Sequence, residues 1–297
     1  MTSSYQEAPL CKGQILRQCR TLKSSVSIAG IGLFTGEQVS LHITPQGAEC
    51  GIVFERIDLP SRPRIEARLE NVQSTPRCTI LGNADGSVQT VEHLLAALYA
   101  SGITSALIQI SGPEVPILDG SSFPFSELLK QAGFHDYPEK SPILKLKSPV
   151  FWSQGDIHIA ALPSCQYRLS YTLHYPHARA IGTQFYSYVL DQESFKKEIA
   201  PCRTFSVYEE IAPMIEKGLL KGGSLENAVI IKGDTVVNPD GLRFNDEMGR
   251  HKVLDLIGDL SLVPVPFLAH IIAVRSGHTS NVAFAKELYN HLIMENM

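Results

Sequence analysis

The sequence predicts an α+β protein of two similar domains, each a mostly antiparallel sheet with helices packed on one face. Two observations predict it. Segments of strand character precede segments of helical character in the first half, and the same order returns in the second. Between the halves, Phe134–Pro142 carries His, Asp, two Pro and Lys with no apolar period, which marks it as the linker. A chain of 297 residues is long enough for two domains, here 1–138 and 139–297.

The elements follow in order. Ser25–Ala29 and Gln38–Pro45 alternate apolar and polar residues and are joined by the glycine-rich turn Gly30–Gly36. Strands are expected at Gly51–Arg56, Arg64–Leu69 and Cys78–Leu81, with a turn at Asn83–Gly86. A helix runs from Thr90 through Tyr99, with the threonine placed to cap it. Ser105–Ile110 is a buried strand and Ser122–Ala132 a helix. The second half begins with strands at Ile143–Leu146, Ile157–Leu162, Tyr167–His174 and Gln184–Val189. A helix at Phe205–Lys217, a strand at Ala228–Ile231 and a helix at Asp246–Gly258 follow. His270–Arg275 is the last strand and Asn281–Met294 the closing helix.

Composition narrows the function classes. A net charge of −4, with no basic run and no aromatic-plus-arginine patch, argues against a nucleic-acid surface. The polar N-terminus lacks a signal core. The longest apolar region, Leu260–Val274, is broken by Pro264, Pro266 and His270 and is too short to span a bilayer. A soluble cytoplasmic protein is expected, acting as a monomer without an integral membrane segment. The six cysteines show no C-x-x-C spacing, so they are expected as reduced thiols rather than a zinc ribbon.

The helix His251–Asp259 carries the first chemical signal. His251, Asp255 and Asp259 stand at i, i+4 and i+8, so they share a face. An imidazole and a carboxylate one turn apart can hold a divalent metal. The same spacing also arises on an ordinary solvated face. Two further segments add polar groups. In Glu92-His93, the imidazole can ligate a metal while its neighbour takes a proton from water, although an acidic residue at a helix start is also favoured by the macrodipole. His278, in Ser276-Gly277-His278, follows a buried strand and is either catalytic or a helix cap.

Eight segments, taken together, resemble a known family. They are Gly30–Gly36, Thr90–Leu94, Ile117–Ser121, Arg203-Thr204-Phe205, Gly222-Gly223-Ser224, Gly241–Phe244, Arg250–Asp259 and Ser276-Gly277-His278. In this order, over essentially the whole chain, they resemble the UDP-3-O-acyl-N-acetylglucosamine deacetylases, the zinc amidases of lipid A synthesis in Gram-negative bacteria. The resemblance implies one catalytic Zn²⁺ held by His93, His251 and Asp255, with a fourth position left for water. It implies Glu92 as general base, Thr204 as an oxyanion contact, and His278 as an acid held protonated by Asp259. Ligands from both halves imply an active site in the cleft between the domains.

Substrate contacts are implied as well. Lys252 would reach the sugar or the phosphates. Arg275 would meet the diphosphate where the family usually has lysine, with a planar fork replacing a point charge. Tyr175 lies where the family stacks an aromatic ring on uracil, within a local sequence that departs from the usual pattern. The segment 203–224 matches an insert forming an acyl-chain passage, with Phe205, Ile211, Met214, Ile215 and Leu219 as lining, although an amphipathic helix would show the same residues. Phe34 replaces a histidine common in the family's glycine-rich turn. Cys78 reads as a small buried residue near the site and not as a nucleophile. The competing class is a non-catalytic metal or nucleotide-sugar binding protein of the same fold. Glu92 discriminates, since a binding module has no use for a base beside a ligand.

Overall fold

The computed structural model describes residues 14–296. Two five-stranded sheets dominate it. The first has the order Val26–Ile31, Gln38–Pro45, Ala106–Ile110, Ile52–Arg56, Arg64–Glu66. The second has the order Val150–Gln154, Ile157–Leu162, His270–Val274, Arg168–Tyr175, Gly182–Val189. In each, the last strand in sequence is central, and one parallel pair interrupts an otherwise antiparallel sheet. The two halves therefore share a topology that their sequences do not display. The expected α+β class and mostly antiparallel sheets are observed.

Each half has a helix before its last strand and another after it. In the first half these are α1 (Glu92–Ala100) and α2 (Phe123–Ala132). The second half begins its helices with the short α3 (Gln192–Ser194) and α4 (Tyr208–Glu216). It then places α5 (Glu247–Leu260) before the last strand and α6 (His278–Asn296) after it. In α5, Val253, Leu254, Leu256 and Ile257 are fully buried, so the helix is apolar on several sides at once. It packs on α1, on α6 and on the strands Arg168–Tyr175 and Gly182–Val189. Residues of both halves belong to one continuous core.

The contact between α1 and α5 depends on Gly258. A Cβ at that position would lie 2.2 Å from the carbonyl oxygen of Glu92, so no side chain fits. This close approach sets the distance between the two helices that carry the site.

Several expectations are corrected. Phe134–Pro142 is not a free linker but a strand, paired antiparallel with Leu16–Leu22. Its side chains are mostly exposed, so it has no buried face to impose an apolar period. The expected helix at Phe205–Lys217 starts later. Phe205–Val207 is a strand parallel to Val229–Ile231, as suits its aromatic and β-branched residues. Val150–Gln154, not anticipated, is an edge strand with mixed burial. Thr90 does not cap α1. It sits at φ +60° and its hydroxyl donates to Glu114 at 3.0 Å. The closing helix begins at His278, three residues earlier than expected. Cys165 is disulfide-bonded, against the expectation of six reduced thiols, whereas Cys19, Cys50, Cys78 and Cys202 are free. No helix among the described residues is long and apolar enough to cross a membrane.

Candidate active site

A cavity of about 890 Å³ opens between the halves, lined by residues from both. On its floor, His93 from α1 meets His251 and Asp255 from α5. One ligand atom from each lies within 4.8 Å of the others, and all three residues are buried. His93 Nε2 and His251 Nε2 are 3.7 and 3.3 Å from Asp255 Oδ1. The two rings meet edge to face with centroids 5.0 Å apart.

Burial and the hydrogen bonds of His251 and Asp255 set the protonation of these groups. His251 Nδ1–H donates to the Cys202 carbonyl at 3.0 Å, which leaves Nε2 with its lone pair facing the cluster. Burial, with His251 beside it, pushes the His93 imidazole down to about 3. Burial also lowers that of His251, so both rings are neutral, the form that binds metal. Burial opposes the charge on Asp255, yet the neighbouring His251 and Lys252 hold it well below the usual carboxylate range. Lys252 Nζ donates to Asp255 Oδ2 at 2.6 Å. The other oxygen, Oδ1, is buried without a hydrogen-bond partner. Such an orphaned oxygen, facing two imidazole lone pairs, is what a bound cation would satisfy. The three residues thus fit a metal ion.

Proton-handling groups stand beside the cluster. Burial raises the Glu92 carboxyl to about 7, against the pull of His278 and with the push of Asp259 and Asp255. Burial alone would lower His278, but Asp259, Glu92 and Asp255 together raise it to about 9. His278 Nδ1–H donates to Asp259 Oδ2 at 2.9 Å, and Nε2 is 3.7 Å from Glu92 Oε1. Both groups are raised, Glu92 the less, so there is a pH range in which Glu92 is free to take a proton while His278 still carries one, the protonation states that suit a base and an acid. Asp259 is fully buried behind His278 and does not line the cavity.

Thr204, Phe205, Ile211, Tyr175, Lys252 and Arg275 all line the cavity. Thr204 is held by its N–H on the Gly120 carbonyl and by its carbonyl on Val229 N–H, each at 2.8 Å. Gly120, at φ +81°, lies so close to the Asn227 carbonyl that a Cβ would be 2.0 Å away. The preceding residue, Arg203, forms a buried pair with Glu247 of α5, with Nε–Oε1 at 2.8 Å. Tyr175 meets Phe205 edge to face at 5.9 Å. Arg275 is half exposed at φ +57°, 3.4 Å from Asp156. Met214 and Leu219 do not line the cavity, and Leu219 is exposed. Ile215 is exposed too, whereas Leu220, not anticipated, does line it.

The family model for LpxC, UDP-3-O-acyl N-acetylglycosamine deacetylase, matches residues 19–290. The chain belongs to this family. A UDP-3-O-acyl-N-acetylglucosamine deacetylase of Chlamydia muridarum is 49% identical over 279 residues, covering 94% of this chain and 97% of the relative. That of Chlamydia pneumoniae is 48% identical over 277 residues, covering 93% and 98%. The deacetylase resemblance read from eight short segments therefore extends over nearly the full chain.

Sequence reasoning gave no part in the site to three further residues at or behind the cavity of this deacetylase-family chain. Phe34, noted only as a departure, lines the cavity, and its N–H donates to the buried Glu114 at 3.0 Å. Glu114 also accepts from Thr35 and Thr90, tying the glycine-rich turn to the start of α1. Nothing in the spacing of Glu114 marks it. Cys78 lines the cavity too, and burial pushes its thiol up to about 12, which suits an inert residue.

Proposed function

We infer that this chain hydrolyses the N-acetyl group of UDP-3-O-acyl-N-acetylglucosamine. The products are acetate and UDP-3-O-acyl-glucosamine, at the committed step of lipid A synthesis. The observation that carries the chemistry is the Glu92–His278 pair beside three convergent ligand groups inside one cavity. The reading assigns His93, His251 and Asp255 to one catalytic zinc, since two imidazoles and a carboxylate suit that ion. When bound, zinc polarises a carbonyl and makes a water more acidic.

The chain's own groups do the rest. Glu92 takes the proton from the water that attacks the acetamide carbon. Thr204 donates its hydroxyl to the carbonyl oxygen as that oxygen gains charge. As the carbon–nitrogen bond breaks, His278 gives its Nε2 proton to the leaving amine, and Asp259 balances its charge. Lys252, bonded to Asp255 Oδ2, keeps that carboxylate oriented, a task beyond the substrate contact first expected of it. Arg275 and Tyr175 would face the nucleotide part. Phe205 and Ile211 would face the acyl chain, with Leu220 in place of Met214 and Leu219.

Acetate release from UDP-3-O-acyl-N-acetylglucosamine tests the reading. Wild type, Glu92→Ala and His278→Ala should all bind metal, and both variants should lose activity. A wild-type protein that binds metal and the UDP-sugar without releasing acetate would support the binding-module alternative instead.

A further inference from the structure

Thr79 touches two of these acidic groups at once and has no role above. It is fully buried. Its N–H donates to Glu92 Oε2 at 3.1 Å, and its hydroxyl donates to Asp259 Oδ1 at 2.6 Å. Glu92 lies on α1 and Asp259 on α5, so one residue spans both halves of the site. Asp259 Oδ2 accepts from His278 Nδ1–H and from Asn281 Nδ2 at 2.8 Å. A donor on each oxygen fixes the plane of a carboxylate. The remaining oxygen of Glu92, Oε1, is the one facing His278 Nε2.

We propose that Thr79 is a positioning residue that sets the geometry between the proton acceptor Glu92 and the proton donor His278. The N–H turns Oε1 of Glu92 towards the cavity. The hydroxyl turns Oδ2 of Asp259 onto the His278 ring and so aims Nε2 at the same place. The proposal rests on Glu92 and His278 being the proton carriers, as inferred above. Neither Thr79 nor Asp259 lines the cavity, so substrate affinity should not depend on this link. The bonds that hold the ligand groups from behind run to the Cys202 carbonyl and to Lys252, so metal retention should not depend on it either.

The valine variant isolates the hydroxyl. Thr79→Val keeps the shape and the backbone N–H but leaves Asp259 Oδ1 without a donor. In this variant kcat should fall about 10–100-fold, the usual loss for a partner behind the reacting groups. KM and metal content should stay at the wild-type level, and Thr79→Ser should restore kcat. Added to His278→Ala, Thr79→Val should lower kcat no further, because its effect passes through that ring. If the valine variant does not fold, Thr79→Cys, with its weak S–H donor, should show the same kcat loss at smaller amplitude. Unchanged kcat in folded Thr79→Val, a change confined to KM, loss of metal, or full additivity with His278→Ala would overturn the proposal. Wild-type kcat in Thr79→Val alongside collapse in Glu92→Ala and His278→Ala would sink this inference alone. Full activity in both Glu92→Ala and His278→Ala would remove the reading beneath it.

Discussion

At the scale of single residues, the raised carboxyl of Glu92 and the raised imidazole of His278 dictate a pH profile. In the proposed mechanism Glu92 must be ionised to accept a proton, so activity should rise with pH through its pKa of about 7. In the same mechanism His278 must be charged to donate one, so activity should fall as pH rises through about 9. A bound divalent cation adds positive charge nearby and moves both limbs to lower pH. The kcat/KM profile should therefore be bell-shaped, and His278→Gln should lose the alkaline limb. An alkaline limb that survives in that variant would assign it to another group. His251→Ala removes one of the three proposed ligands and should release the metal, as metal analysis after desalting would show. Retained metal would place His251 outside the ligand set. The i, i+4, i+8 stripe made His251, Asp255 and Asp259 legible in the sequence, because one helix presents them together. Thr79 and Glu114 were illegible for the opposite reason. Each acts on residues far away in the chain, and a lone Thr or Glu has no spacing to read.

At the scale of elements, two joints hold the site. The first is the crossing of α1 and α5 at Gly258. Gly258→Ala drives a methyl into the Glu92 carbonyl and should cost about 1–3 kcal/mol of stability. It should also weaken metal binding, since His93 moves away from His251. Denaturant unfolding of the apo protein and a metal titration measure the two effects, and an unchanged variant would mean that the helices can part freely. The second joint is the Arg203–Glu247 pair, almost wholly buried, which ties the Thr204 segment to α5. Glu247 also accepts from the N–H groups of Arg203 and Arg243. Glu247→Ala leaves a buried guanidinium unpaired and should cost about 3–5 kcal/mol. A loss below about 1 kcal/mol in urea unfolding would show that water reaches the pair. Element reading succeeded where burial is one-sided or complete, as in Gln38–Pro45 and α5. It failed at Phe134–Pro142, whose strand state depends on Leu16–Leu22 rather than on its own pattern.

At the scale of the whole molecule, the two halves share one core and divide the three proposed ligand groups between α1 and α5. Unfolding should therefore be a single transition, despite the two similar halves. A ligand that binds only the folded form raises stability. Removing the metal with a chelator should lower the melting temperature without splitting the transition. Two resolved transitions in calorimetry of the metal-bound protein would show that the halves fold independently. The order of strands and helices in each half made the α+β class legible. The matching strand orders were not, because sheet order is a property of pairing across the chain.

The crossing at Gly258 also bears on inheritance. The carbonyl it accommodates belongs to Glu92, in the first half, while the glycine lies in the second. A crossover in the strand that joins the halves unites a first half from one parent with a second half from another. Such a chimera keeps its pocket only if the incoming second half brings glycine at that position. Because the contact is with a main-chain carbonyl, every residue at 92 presents it, and the whole demand falls on position 258, which must stay glycine whatever first half it joins.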